Sequence, residues 1–137
     1  MSVPLHYLDL RAFCYGTEDE DRVEGALRTL LPEDFDVERM TSARTHGDTI
    51  LWLAARVALP DEMRRVISRL REAGVLGPID DELDERLDDN NSLFVHLDKQ
   101  AAARGDVRLG EGIALRAKVE AYPATREAAL ENVREVI

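Results

Sequence analysis

Cysteine and histidine are scarce in this sequence, which limits the metal and redox sites it can build. Cys14 is the only cysteine among 137 residues, so a disulfide framework and a cysteine-ligated metal site are both excluded. Because Cys14 follows an alternating apolar pattern, we expect it to pack as a small buried hydrophobe. The three histidines, His6, His46 and His96, lack the spacing of paired metal ligands. We expect no metal and no cofactor.

Long apolar runs are also missing. No stretch approaches the roughly 20 apolar residues that a membrane-spanning helix needs, and residues 1–10 lack the basic start and apolar stretch of a signal peptide. We therefore expect no membrane association and a cytoplasmic location. The length of 137 residues is usual for one domain. No low-complexity linker interrupts the chain, so we expect a single domain over residues 1–137.

Patterns typical of catalysis are absent as well. The acidic residues occur in runs such as 18–21 and 80–89, which are typical of helix caps and solvated faces and not of paired catalytic carboxylates. The second run lacks the glycine and alternating ligands of a calcium loop. Gly105, Gly110 and Gly112 match neither the dinucleotide nor the Walker phosphate loop. We expect that the protein is not an enzyme.

Lysine is rare, whereas acidic residues are abundant. Lys99 and Lys118 are the only lysines, and 28 acidic residues against 18 basic ones give a net charge of −10. This composition is typical of proteins from organisms that keep molar salt in the cytoplasm; the alternative is an ordinary acidic protein of a mesophile. A negative chain usually argues against nucleic acid. At molar salt the Debye length falls to roughly 3 Å, so a halophilic RNA-binding protein would depend on close contacts and not on net charge.

Hydrophobic periodicity predicts an α+β fold with a single, mainly antiparallel or mixed sheet of about five strands and helices packed on one face. The predicted strands span residues 5–15, 37–43, 49–58, 92–98 and 112–122. The hairpin between the second and third strands would turn at His46-Gly47-Asp48. Helices are predicted after Thr17, which would form a capping box with Glu20, from Pro60 to a C-terminal cap at Gly74, over 79–87, and from Pro123 onward. Residues 99–104 are predicted as a turn or short helix.

One continuous core is predicted from the apolar positions of these elements. It would contain Leu8, Leu10, Val23, Leu27, Trp52, Leu70, Leu97, Leu115, Val119, Leu130 and Val133.

The opposite face of the sheet should meet solvent and carries the candidate binding residues. If the first and last strands share the sheet, Arg11, Phe13 and Tyr15 point the same way as Arg116, Lys118 and Tyr122. Arginine forks bind phosphates, and aromatic faces stack on unpaired bases. The same residues are also what an ordinary exposed sheet face needs for cross-strand charge pairs, so both interpretations stay open.

The turn after the fourth strand is a second candidate. Lys99 lies beside Gln100 and is followed by Arg104 and Arg108. A lysine retained in a chain that otherwise uses arginine indicates a place where an ammonium is required, although chance retention explains it equally well.

The segment Asp98-Lys99-Gln100-Ala101-Ala102, which follows the predicted strand, resembles the hallmark of a family of small archaeal proteins. That family is described as RNA-binding domains or predicted exosome subunits and was formerly a domain of unknown function. Further segments agree with the family, namely 6–7, Cys14 before 17–20, 31–34 and 118–124.

The resemblance implies a fold like that of the large-subunit ribosomal protein that holds 5S rRNA. Relatives commonly carry a bulky residue and a glycine after the Lys-Gln-Ala-Ala step, whereas this chain has Ala103-Arg104-Gly105. Arg104 is therefore a better contact candidate than a stacking aromatic at this turn.

Our first hypothesis is a non-catalytic RNA-binding protein, an accessory of RNA-processing or ribosome-related complexes. Its RNA contacts would be Lys99, Gln100, Arg104, Arg108, Arg11, Arg116 and Lys118. The alternative is a protein–protein adaptor subunit of an RNA-processing complex, which an exposed apolar patch of several hundred Å² would favour.

The acidic composition generates a prediction about salt. If the acidic surface is an adaptation to molar salt, the thermal midpoint should rise from dilute buffer to molar potassium chloride, because screening relieves the repulsion among carboxylates. Calorimetry over a series of salt concentrations measures this. A midpoint that stays flat or falls would remove the halophilic interpretation.

Overall fold

The computed structural model describes residues 3–43 and 49–137, and within them five strands form one open antiparallel sheet. The predicted turn at 46–48 lies outside the described residues. The strands are β1 (Leu5–Cys14), β2 (Glu38–Ala43), β3 (Thr49–Val57), β4 (Ser92–Asp98) and β5 (Gly112–Val119). Their order across the sheet is β2-β3-β1-β5-β4, and all neighbouring pairs are antiparallel. The predicted α+β class with a single five-stranded sheet is confirmed.

The helices of the described residues all contribute to the core on one face of this sheet, as predicted. They are α1 (Glu20–Leu30), α2 (Pro60–Glu72), α3 (Leu76–Asp81), α4 (Leu83–Arg86), α5 (Lys99–Ala103) and α6 (Arg126–Val136). Their buried apolar side chains join those of the inner face of the sheet in one hydrophobic cluster. The other face, called the outer face below, carries no helix among the described elements.

Strand β1 runs through the centre of the sheet and shows why the two faces differ. Leu8, Leu10, Ala12 and Cys14 are buried on the inner side, since alternate residues of a strand point to the same face. The register places Leu10 between Ala55 of β3 and Leu115 of β5. Ten of the eleven predicted core residues belong to the cluster or pack against it; Leu130 is in the second group.

Trp52 is the exception, because it lies on the outer face and the core prediction for it was wrong. Strand β3 is almost continuously apolar, so its sequence does not show which alternate residues face inward. The register decides the matter: Trp52 is opposite Phe13, whereas Leu51 is opposite Cys14.

Several element boundaries differ from the predictions. Helix α1 begins at Glu20 with Asp19 as its N-cap, whose carboxylate accepts the Asp21 N–H at 2.9 Å, so the predicted Thr17 capping box is wrong. Gly74 follows α2 with φ +76, as a C-terminal glycine cap requires.

The predicted helix over 79–87 is two short helices, α3 and α4, that meet at Glu82. Helix α3 begins three residues early because Pro78 lies in its first turn, where a backbone N–H has no helical partner.

At the end of the chain, β5 stops at Val119, three residues before its predicted end. Helix α6 starts at Arg126, because the Thr125 hydroxyl accepts the Ala128 N–H and caps it.

The central position of β1 and β5 generates a stability prediction. Leu10→Ala and Leu115→Ala should each lower the free energy of unfolding by about 2–5 kcal/mol, because each leaves a cavity beneath the sheet. Urea denaturation in high salt measures the change. Leu59→Ala is the matched control: its side chain is 63% exposed, and a change below about 0.5 kcal/mol is expected. Equal effects at Leu10 and Leu59 would contradict the assigned core.

Candidate nucleic-acid interface

The outer face of the three central strands is the candidate interface. Its residues alternate with the buried ones, so the register brings them together from three parts of the chain. They are Tyr7, Asp9, Arg11 and Phe13 of β1, Trp52, Ala54 and Arg56 of β3, and Ala114, Arg116 and Lys118 of β5.

The charge of this face is opposite to that of the whole chain. Among these described residues, four are cationic and only Asp9 is acidic, whereas the chain carries a net charge of −10. The outer face of the three central strands is therefore a local positive surface, and Glu38 of β2, which is opposite Ala54, lies at its border.

Asp9 organises part of this surface by holding two arginines from the neighbouring strands. Arg56 of β3 donates from Nε and Nη2 to the two Asp9 carboxylate oxygens at 2.7 and 2.9 Å. Arg116 of β5 donates from Nη2 to Asp9 Oδ2 at 2.8 Å. We call these three residues the Asp9 triad. One carboxylate shared between two guanidinium groups leaves the triad positively charged.

Burial of the Asp9 carboxyl raises its pKa, but the hydrogen bonds from Arg56 and Arg116 more than offset this, so the pKa of Asp9 lies below its ordinary value. The same bond raises the pKa of Arg56. Asp9 is thus ionised at neutral pH, and both guanidinium groups are fixed by charge-assisted hydrogen bonds.

The Tyr7 ring contacts both arginines of the triad. The guanidinium carbon of Arg56 lies 4.0 Å from the centre of the Tyr7 ring, and that of Arg116 lies 5.7 Å from it. Both distances are within the range of cation–π attraction. The ring therefore restricts the orientation of the two arginines while leaving their side chains 57% and 38% exposed.

Arg11 occupies the middle of the face. It is exposed and lies between two small residues, Ala54 of β3 and Ala114 of β5. Its guanidinium carbon is 5.8 Å from the centre of the Trp52 ring. Trp52 in turn contacts Phe13, with ring centroids 4.1 Å apart at an interplanar angle of 51°. An arginine and an aromatic pair therefore lie side by side.

Two further residues extend the face. Lys118 is next to Tyr7 in the register, and its ammonium donates to the Asn90 carbonyl oxygen. Phe94 of β4 is opposite Arg116 and is 38% exposed. The cationic and aromatic character thus continues toward the β4 edge.

Lys99 does not lie on this face; it ties α5 to the end of β1. Its side chain is 9% exposed, and its ammonium donates to the Phe13 carbonyl oxygen at 2.9 Å and to Glu18 Oε1 at 2.7 Å. The ammonium also lies 5.0 Å from the centre of the Tyr15 ring. These contacts give the retained lysine a structural role, and its contact with RNA stays a prediction.

The Lys99–Glu18 ion pair joins two of the segments on which the family resemblance rests, 98–102 and 17–20. Burial raises the pKa of Glu18, but the hydrogen bonds from Lys99 and from the Tyr15 N–H outweigh burial, so its pKa lies below the ordinary value. Sequence spacing gives no signal for this pair because 81 positions separate its members.

Two glycines make the close packing around Lys99 feasible. Gly112 has φ +113, and a Cβ there would lie 2.5 Å from Lys99 Cβ; a Cβ at Gly110 would lie 2.7 Å from Asp98 Cβ. Neither position tolerates a side chain without movement of its neighbour. Gly110 and Gly112, which match no phosphate loop, therefore serve the packing of this turn.

Gln100, Arg104 and Arg108 are all exposed in the same turn. Arg104 is the C-cap of α5, and Arg108 lies 3.7 Å from the Asp106 carboxylate. Among the contacts of the described residues, none connects these three to Arg11, Arg116 or Lys118. The structure thus separates the predicted site residues into an outer-face group, a turn group and the buried Lys99.

Asp9, Tyr7 and Arg56 were missed by sequence reasoning. Arg56 lies in β3, whose nearly continuous apolar sequence does not show which face of the sheet each residue is on. Its pairing with Asp9 depends on the register between β1 and β3. An isolated acidic residue between apolar ones in β1 was the only available signal.

Within residues 3–43 and 49–137, no helix is long and apolar enough to cross a membrane. In the same part of the chain, no group of three or more histidine, cysteine or acidic side chains is placed to hold a metal ion.

An α+β protein with one open sheet face that is cationic and aromatic is the class that this fold and site define. A family model described as RNA binding matches residues 7–119. The chain therefore belongs to this archaeal RNA-binding family.

Relatives cover almost the entire chain. An RNA-binding protein of Pyrococcus abyssi, PAB1135, is 32% identical over 143 residues, which span 95% of this chain and 92% of that protein. The solved structure of Mth689 from Methanothermobacter thermautotrophicus, a DUF54 protein, is 39% identical with a TM-score of 0.79 over 96% of this chain and 97% of that one. AF2318 from Archaeoglobus fulgidus is 28% identical with a TM-score of 0.87 over 97% and 99%.

The buried ion pair generates a prediction about stability and pH. Lys99→Met should lower the free energy of unfolding at pH 7 by roughly 1–3 kcal/mol, because it removes the ammonium that donates to Glu18 and to the Phe13 carbonyl and leaves Glu18 with the Tyr15 N–H alone. Urea denaturation measures this. A loss of RNA affinity at unchanged stability would instead place Lys99 in contact with RNA.

The lowered pKa of Glu18 sets the direction of the pH effect. In the unfolded chain the Glu18 carboxyl has its ordinary pKa, about 4.3. The contribution of the ion pair to the free energy of unfolding is therefore complete above that pH, and it disappears as pH falls through the lower pKa of the folded state. Glu18→Gln should therefore lose less stability than wild type between about pH 5 and pH 2. Glu135→Gln, at an exposed position, is the control and should follow wild type.

Proposed function

We propose that this chain is a non-catalytic RNA-binding protein that contacts RNA with the outer face of its sheet. The observation that carries the proposal is the local reversal of charge. On a chain of net charge −10, the three central strands present four cations and one carboxylate on a face without helices.

The arrangement of these cations suits phosphate binding. The guanidinium groups of the Asp9 triad are held in place by Asp9 and Tyr7, so little side-chain freedom is lost when a ligand binds. Arg116 uses one of its nitrogens for Asp9, and a guanidinium group has five N–H donors in total. The triad can thus bind a phosphate while its internal bonds persist.

The turn group extends the proposed contact surface. Gln100, Arg104 and Arg108 are exposed, and Lys99 fixes their turn against β1 through Phe13 and Glu18. We assign Lys99 to positioning this turn.

The proposed setting is an accessory role in the cytoplasm, in RNA-processing complexes such as the exosome or in ribosome-related complexes. The adaptor alternative is less well supported. The large exposed hydrophobic side chains come from five segments of the chain, and the two on the outer face, Met40 and Phe94, lie on strands at opposite edges of the sheet; scattered exposed residues are normal on soluble surfaces. These residues are Tyr15, Met40, Leu59, Phe94 and Tyr122.

Titration with RNA tests the proposal. Arg11→Ala and Lys118→Ala should each weaken binding of total cellular RNA by roughly 1.5–3 kcal/mol if each cation makes a direct charged hydrogen bond. Fluorescence anisotropy at several salt concentrations measures the affinity, and melting curves check the fold. Each lost phosphate contact should also reduce the slope of log affinity against log salt by about 0.7 to 0.9.

Control substitutions outside the outer face test whether the loss of RNA affinity is specific to that face. Arg65→Ala removes an exposed arginine of α2, on the helical side, and should leave the affinity unchanged. Arg104→Ala and Arg108→Ala test the turn group in the same assay. Wild-type affinity in both outer-face variants would exclude this face as the binding site.

A further inference from the structure

The outer face is divided into three rows that cross the strands. Each row consists of residues that are paired in the register of adjacent strands. The rows are Met40–Trp52–Phe13, then Glu38–Ala54–Arg11–Ala114–His96, then Arg56–Asp9–Arg116–Phe94.

The chemistry of the rows is segregated. The first row is aromatic and apolar, and none of its three members is charged. The third row contains the Asp9 triad, which is ionic, and ends at Phe94 on the β4 edge. The middle row is low around Arg11, because Arg11 lies between two alanines, and Glu38 and His96 lie at the two ends of this row. Since a strand advances about 3.4 Å per residue, the first and third rows are roughly 13–14 Å apart.

Single-stranded and double-helical RNA differ in what they can offer such a surface. Both present phosphates, but a duplex stacks its bases internally, whereas unpaired bases can lie against aromatic side chains. A face with phosphate-binding groups alone would suit either form. The aromatic row beside the triad adds a contact that only unpaired RNA can use.

We infer that the outer face selects unpaired RNA, with phosphates at the Asp9 triad and a base stacked against the Phe13–Trp52 pair. The inference rests on the proposed function. In this arrangement the RNA backbone follows the triad row across the strands, and the bases extend over the low middle row toward the rings. Arg11, which lies 5.8 Å from the Trp52 ring centre, contacts the nucleotide between its phosphate and its base.

Both rings of the pair have exposed surface for this contact. Phe13 and Trp52 are partly buried, not fully buried, and their 4.1 Å separation at 51° makes one rigid aromatic unit. Lys99 further fixes Phe13 by binding its carbonyl oxygen. A preformed stacking surface is what sequence-tolerant binding of single strands requires.

Trp52 provides a direct reporter, because it is the only tryptophan of the chain. The full chain is titrated with three probes of equal length: a single-stranded RNA, its duplex, and an abasic single strand that retains the phosphates. The single strand should change the Trp52 fluorescence and bind at least about fivefold more tightly than the duplex or the abasic strand. The abasic strand should bind through its phosphates without changing the fluorescence.

A variant pair tests the stacking residue itself. Phe13→Leu keeps an apolar side chain but removes a ring, so single-strand affinity should fall by about 5- to 150-fold while abasic-strand affinity is unchanged. Tyr122→Leu removes an 80% exposed aromatic ring outside the rows and should have no effect. Melting curves check that both variants fold.

The outcomes distinguish this inference from the proposed function. Equal wild-type affinity for single strand and duplex, or a Trp52 signal that is unchanged when the single strand is bound, overturns the inference. The RNA-binding proposal then still stands on the loss caused by Arg11→Ala. Failure of wild type to bind any of the three probes at low or high salt overturns both.

Discussion

The Asp9 carboxylate is the interaction on which the outer face depends. It lies on the central strand and accepts hydrogen bonds from an arginine on each neighbouring strand, at 2.7 to 2.9 Å. Without this anion, Arg56 and Arg116 would repel each other across β1. Asp9 is therefore the acidic residue that stabilises a concentration of positive charge on this face.

The second constraint is the burial of the Lys99 ammonium at the end of β1. A lysine this buried requires nearby acceptors, and it finds them in the Phe13 carbonyl oxygen and in Glu18. The turn and the helix start that resemble the family hallmark are thus two halves of one ion pair. The contact gives both segments a structural role in this chain that is independent of RNA.

The sequence predicted the fold where one face of a strand is apolar and the other polar. Strands β1 and β5 have this alternation, so the shared face of Arg11, Arg116 and Lys118 was predicted, and the register confirms it. Strand β3 lacks it, which is why Trp52 was placed in the core. Arg56 was missed for the same reason.

The burial of Lys99 and its contacts could not be predicted from the sequence, for a different reason. Composition shows that a lysine is retained, but the partner that buries it is set by the tertiary fold. The start of α1 is a smaller example: Thr17 and Asp19 are both acceptable caps by residue type, and in the structure Asp19 is the one that caps the helix.

Gly112 connects the buried Lys99 to the aromatic row of the outer face. The single hydrogen of its side chain lets Lys99 approach closely enough to hold the Phe13 carbonyl, and Phe13 belongs to the aromatic row of the outer face. Any larger residue at 112 would push on Lys99 Cβ, 2.5 Å from the new atom, and through it on the end of β1. A residue without a side chain thereby helps to hold the end of the strand that carries Phe13 in place.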